Sequence, residues 1–233
     1  MIDLAQAAAG NASRIESNFR ELIEERSAED GATIVTFSEW VLEVCRVSIN
    51  VKLYVVFDLI NNGRYLNMYD AAMQYAEVLG TSREEILRSW LRAFFDCRIA
   101  FDRAFKDGEE LIYGALTAGS GGLREYDPYC LTLSKDFHAT AAALAYLPGD
   151  SVNICFSAHG EFDERGTCAM LAPDSHRHML AACKNWRGAI TSAKADWPAL
   201  MNQKATYFEA LFKGVSHLQT LTEFKCCNPS MSE

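Results

Sequence analysis

The sequence predicts an α+β protein in which a helical N-terminal half and a helical C-terminus enclose a small, mostly antiparallel β core. Three observations carry this reading. Apolar residues recur at helical spacing through residues 1–106; short apolar runs between turn residues fill 107–171; and helical spacing returns from about Ser175. Residues 1–106 are therefore read as a helical region and 107–233 as an α+β region with C-terminal helices that carries any catalysis. Strands this short cannot bury themselves, so the helices are expected to cover the sheet, as one compact domain or two docked ones.

Each element has a local reason. Ile15, Phe19, Leu22 and Ile23 line one helical face. Thr36 and Glu39 have capping-box spacing and are expected to open a helix. The run that follows, from Trp40 to Val55, is apolar nearly all round and reads as a buried helix, with a strand over residues 49–55 as the lesser reading. Asn61, Asn62 and Gly63 stop it. Tyr69, Ala72, Met73, Ala76 and Leu79 form the next amphipathic face, closed by Gly80, and Ser82 with Glu85 is a second capping box that opens a helix running to Phe105.

After the Asp107–Gly108 turn, residues 111–116 read as a strand and 118–122 as a glycine-rich hairpin connection. Residues 129–133 read as a second strand, the alanine-rich 138–146 as a helix, 152–156 as a third strand, 159–165 as a polar turn and 168–171 as a fourth strand. Asp196 with Pro198 marks a helix start, and Ala199, Leu200, Tyr207, Phe208, Leu211 and Phe212 are assigned to its apolar face, which Gly214 ends or bends. The last dozen residues read as frayed.

Composition narrows the function classes. The chain has 233 residues, of which 49% are hydrophobic and 11% aromatic, enough for a sizeable core. Its net charge of −9 argues against a general affinity for nucleic acid or anionic membranes. No signal peptide and no apolar run of about 18 residues is present, so a cytoplasmic protein is expected. The eight cysteines lack any C-x-x-C spacing and are read as reduced and mostly buried, with Cys226 and Cys227 exposed in a polar tail.

Several clusters bear on chemistry. The glycine loop is followed by neither a lysine nor a helix start, which excludes a P-loop or dinucleotide-binding fingerprint. His176 and His178, with Cys168 and Cys183, fit no standard zinc spacing, and no metal is expected. Cys130 and Cys155 lie within apolar strand patterns, where a thiol is inert. The turn from His159 to Glu164 carries one imidazole and three carboxylates, a crowd that can raise one carboxyl's pKa and make it an acid or base.

The strand around Tyr113, the second strand ending in Thr132 and Ser134, the third strand and the acidic turn at Glu161 and Glu164 together resemble the core of the ADP-ribosyltransferase superfamily. The Tyr-Gly-Ala-Leu strand is also similar, more loosely, to one in uncharacterised bacterial proteins. The first strand departs from the family in having Tyr113 and Thr117 but no basic residue, so Arg124 would stand in from the loop.

The resemblance implies an NAD-consuming transferase, a toxin or effector, that moves ADP-ribose from NAD to a macromolecular acceptor. Glu161 or Glu164 would stabilise the developing oxocarbenium ion, with Ser134 or Thr132 positioning the glutamate and ribose. Tyr113 or Tyr129 would stack on nicotinamide, Thr117 would line the site, and Arg124 would pair with the pyrophosphate. A protein antidote or regulatory partner is implied too. Two other readings stay open: a non-enzymatic helical interaction or regulatory protein, compatible with a homo-oligomer, and a metal-dependent hydrolase or nuclease using the His, Cys and acid residues.

Overall fold

The computed structural model describes residues 1–63, 65–119, 122–123, 127–141, 143–213 and 221–226, the last of these by backbone alone. Asp3 caps α1 (Leu4–Ala9), and α2 (Ala12–Glu24) follows. Helix α3 (Ala28–Val44) is capped nine residues ahead of the expected Thr36. Ser27 is the true N-cap, its hydroxyl accepting from the Asp30 N–H at 3.1 Å. Thr36 lies inside the helix, where its hydroxyl donates to the Ala32 carbonyl, so nothing there interrupts the turn.

The apolar run after Trp40 is not one helix. It breaks at Val44, and β1 (Cys45–Val51) follows. Cys45, Val47, Ile49 and Val51 alternate with Arg46, Ser48 and Asn50, a period of two that suits a strand rich in β-branched residues. Residues 1–106 thus contribute a strand as well as helices. Next come α4 (Leu53–Asn62), α5 (Met68–Leu79), α6 (Arg83–Leu91) and α7 (Phe95–Ala104). Gly63 and Gly80 stop α4 and α5 in left-handed backbone, as expected, and the Ser82–Glu85 capping box is complete.

The second half departs further from its local patterns. The strands β2 (Ile112–Ala118) and β3 (Tyr129–Leu133) form where expected. The alanine-rich stretch instead splits into α8 (Lys135–Thr140) and β4 (Ala143–Leu147). The expected third and fourth strands are helices α9 (Ser151–Ile154) and α10 (Glu164–Met170), followed by the two-residue β5 (Ala172–Pro173). Asp150 and Asp163 decide this by capping: their carboxylates accept from the Val152 and Gly166 N–H groups, both at 2.9 Å. Helices α11 (Arg177–Thr191) and α12 (Trp197–Met201) come next. The expected long last helix is cut short, because Phe208, Ala210 and Phe212 belong to β6 (Phe208–Lys213). The tail adds β7 (Leu221–Cys226) instead of fraying throughout.

The strands form a single antiparallel sheet in the order β5-β4-β6-β2-β1-β3-β7. Strand β1 therefore sits between β2 and β3, and the connection through Gly119 crosses over it; it is not a hairpin. The two faces differ. Val47, Ile49, Leu116, Leu131, Tyr146, Phe208 and Phe212 pack under α2, α3, α11 and α12 around Phe37, whose ring meets Trp197 edge-on at 5.1 Å. Burying a ring of that size contributes about 1.5–3 kcal/mol. The opposite face has its main apolar cluster at the β4–β6 end, where Ala145, Leu147 and Leu211 meet α1 and α7. Farther along it carries Ser48, Asn50, Tyr113, Thr117, Thr132 and Glu209. No helix among the described residues is long and apolar enough to cross a membrane.

Candidate functional site

On that polar stretch lies a cavity of about 220 Å³, lined by Ser48, Asn50, Arg98, Tyr113, Asp150, Tyr207 and Glu209 over an apolar floor that includes Ala115 and Leu123. Sheet register builds it. Ser48 pairs with Ala115 and Ala115 with Glu209, so residues of β1, β2 and β6 stand on one rung. Arg98 comes from α7, which packs over the same face.

The side chains are held as a network. Glu209 is buried, with 7% of its side chain exposed, and Arg98 has 13%. Their closest atoms, Nη2 and Oε1, are 3.6 Å apart. Glu209 Oε2 accepts from the Ser151 N–H at 2.8 Å, and Arg98 Nη1 donates to Ser151 Oγ at 3.2 Å. The guanidinium lies 3.8 Å from the centre of the Tyr113 ring. One helical turn along from Arg98, Asp102 accepts from the Tyr113 hydroxyl and, at 2.7 Å, from the Tyr69 hydroxyl. Burial raises the carboxyl pKa of both Glu209 and Asp102; Arg98 and the hydrogen bonds pull each back only in part.

Second contacts fix the rim. Asn50 donates to the Asp127 carbonyl and accepts from the Leu123 N–H, both at 2.9 Å, which pins the glycine loop across β1. A Cβ at Gly122 would lie 2.4 Å from Asn50 Oδ1, so only glycine fits there. Lys184, on α11, donates to the Pro148 and Tyr207 carbonyls at 2.5 and 2.9 Å, tying together the segments that carry Asp150 and Tyr207. Burial lowers its amine pKa to about 8.

Of the residues expected to bind NAD, Tyr113 lines the cavity, and Thr117 and Thr132 share its sheet face. Thr117 is engaged, donating to Ser48 Oγ at 2.8 Å. Tyr129 has the opposite strand parity and packs against the apolar core on the other face, so it and Tyr113 cannot flank one ligand. Ser134 is the N-cap of α8, its hydroxyl accepting from the Phe137 N–H. Glu161 and Glu164 are exposed in and beside a turn closed by the Phe156–Phe162 bridge. The two phenylalanines turn inward, Phe162 against Phe101 at 5.8 Å, and leave the acids outside. Arg124 lies outside the described residues.

A second buried network joins the other face of the sheet to α11. Asp174 accepts from Tyr146 Oη at 2.8 Å and from Arg177 at 3.0 Å, and lies 2.9 Å from His138 Nδ1. The Val47 N–H points at His138 Nε2 from 3.4 Å, so both ring nitrogens are engaged and the imidazole is not available as a base. Neighbouring Cys45 is fully buried, which pushes its thiol up to about 12. This network is structural. Among the described residues, no three or more His, Cys, Asp or Glu groups gather as metal ligands, and His176 instead meets Glu16 at 2.8 Å.

The residues missed from sequence are Arg98, Asp102, Asp150, Tyr207 and Glu209. A signal existed for three of them. Arg98 and Asp102 interrupt a helix face that also carries Phe101 and Phe105, and Glu209 is the lone charge in an otherwise apolar run. No protein-family model matches the sequence, and no curated protein matches it either.

Proposed function

We propose that the chain is an NAD-consuming, ADP-ribosyltransferase-like enzyme working at this cavity, with Glu209 in the role first given to Glu161 and Glu164. One observation carries the reading: a buried carboxylate lines an open cavity beside a buried guanidinium and a tyrosine. Cleavage of the nicotinamide–ribose bond builds positive charge on the ribose, and a fixed carboxylate in a water-poor site stabilises that charge strongly. The cavity is smaller than the roughly 300–1,000 Å³ of sites that enclose a drug-sized molecule. It would therefore take the nicotinamide–ribose end and leave the adenosine half outside.

The test is nicotinamide release from NAD by purified protein, alone and with cell lysate as the macromolecular acceptor. Glu209→Gln is expected to slow release by about 10²–10³-fold, the usual loss when a charge-stabilising group is removed. Retained release in Glu161→Gln and Glu164→Gln would assign the carboxylate to Glu209. Loss in either would return it to the turn, and no release from the unaltered protein would end the enzyme reading.

One observation favours the interaction reading. Leu53, Phe57 and Ile60 fall on one face of α4 and are 46%, 56% and 58% exposed, an apolar stripe of the kind that marks a contact surface. If it mediates self-association, light scattering will give a mass above one chain, and Phe57→Asp will return it to the monomer. A monomer at all concentrations would remove this support.

A further inference from the structure

The cavity holds more negative than positive charge. Among its described lining residues Arg98 is the one cation, against the carboxylates of Glu209 and Asp150, and Asp102 stands behind Arg98 as a third. Asp102 uses both oxygens to accept from tyrosine hydroxyls. Tyr69 and Tyr113 both keep their protons, since burial first and Asp102 second push their ionisation upward. Asp102 is therefore an acceptor on both sides, and it draws on the same guanidinium as Glu209. Glu209 spends Oε2 on the Ser151 N–H, while Oε1 has Arg98 only at 3.6 Å, beyond hydrogen-bond length. That side chain is more than nine-tenths buried, and its carboxylate is held only by Ser151 and by the charge of Arg98. Tyr113, Tyr207, Ala115 and Leu123 give the rest of the wall an aromatic and apolar surface.

We propose that this cavity selects a small organic cation, a pyridinium or alkylammonium group, over a neutral molecule of the same shape. A monovalent organic cation would neutralise the surplus charge at Glu209 while its carbon surface meets the tyrosine rings, an arrangement such cations favour. A hydrated metal ion would gain nothing from those walls. The inference rests on the cavity being a ligand site, as the proposed function does, but not on the NAD reaction.

Calorimetric titration of the full chain with two matched pairs tests it. The first pair is choline and the neutral alcohol in which carbon replaces the ammonium nitrogen. The second is ring-N-methylated nicotinamide and nicotinamide itself. Each cation is expected to bind at least about tenfold more tightly than its neutral partner, and Glu209→Gln to bring the ratio close to one. Equal affinities, no detectable binding of either cation, or a preference that survives Glu209→Gln would overturn the proposal. The comparison in the unaltered protein decides alone if that variant does not fold. Cation preference without nicotinamide release would leave this inference standing and remove the enzyme reading; release with equal affinities would do the reverse.

Discussion

Arg98→Met is expected to lower the unfolding free energy by about 3–5 kcal/mol, the usual cost of removing one partner from a buried ion pair. Methionine keeps much of the stem's volume, so the loss isolates the guanidinium. Without it, Glu209 and Asp102 are two buried carboxylates with no cation between them, and the Tyr113 ring and Ser151 hydroxyl lose a contact each. The variant should also change the pH dependence. Both carboxyls already have raised pKa values in the folded protein, so the folded state holds their protons to higher pH than the unfolded state does. Stability from such groups falls as pH rises above the unfolded carboxylate range, and losing Arg98 raises both pKa values further. The deficit should therefore be larger at pH 8 than at pH 5, both values being ordinary assay conditions on either side of neutrality. Urea denaturation at the two pH values measures it. A deficit under about 1 kcal/mol at both would mean the pair is no better than a surface salt bridge.

Asp174→Ala is expected to cost a similar amount, about 3–5 kcal/mol, for a different reason. It would leave the Arg177 guanidinium, 8% exposed, without its carboxylate, and the buried Tyr146 hydroxyl without that acceptor. Burial alone would raise the Asp174 carboxyl; the hydrogen bond from His138, the charge of Arg177 and the Tyr146 hydroxyl outweigh it and hold the group below the ordinary carboxylate range. A depressed acid stabilises the fold above its unfolded pKa and loses that contribution as pH falls through the folded value. The difference between the unaltered protein and Asp174→Ala should thus be full at neutral pH and shrink below about pH 4. Thermal unfolding followed across the acid range tests this, and a difference that stays constant down to acid unfolding would rule out the linkage.

Much of the fold was legible where the deciding interaction is local. The Ser82–Glu85 capping box, the stops at Gly63 and Gly80, the strand 129–133 and the α+β class all follow from residues within one or two turns of each other. The misreadings occur where two local signals compete. The apolar run after Trp40 reads first as a helix and only second as a strand, and pairing with β2 and β3 makes residues 45–51 a strand. Tyr207, Phe208, Leu211 and Phe212 fit a helix face until β4 and β2 flank them on either side.

The candidate site shows the same division. The sequence by itself determined the α+β class, the capped start of α6, the stops of α4 and α5, and the isolated charge of Glu209 in an apolar run. Capping and burial periodicity act over a few residues, so the order of amino acids contains them. Only the tertiary structure decided that Glu209, more than ninety residues beyond Tyr113 in the chain, shares a cavity with it, while the crowded acids at Glu161 and Glu164 stay in solvent. That choice belongs to strand order and register. Inserting β1 between β2 and β3 and placing β6 beside β2 sets which faces meet, through hydrogen bonds between segments whose separation along the chain says nothing of their distance in space.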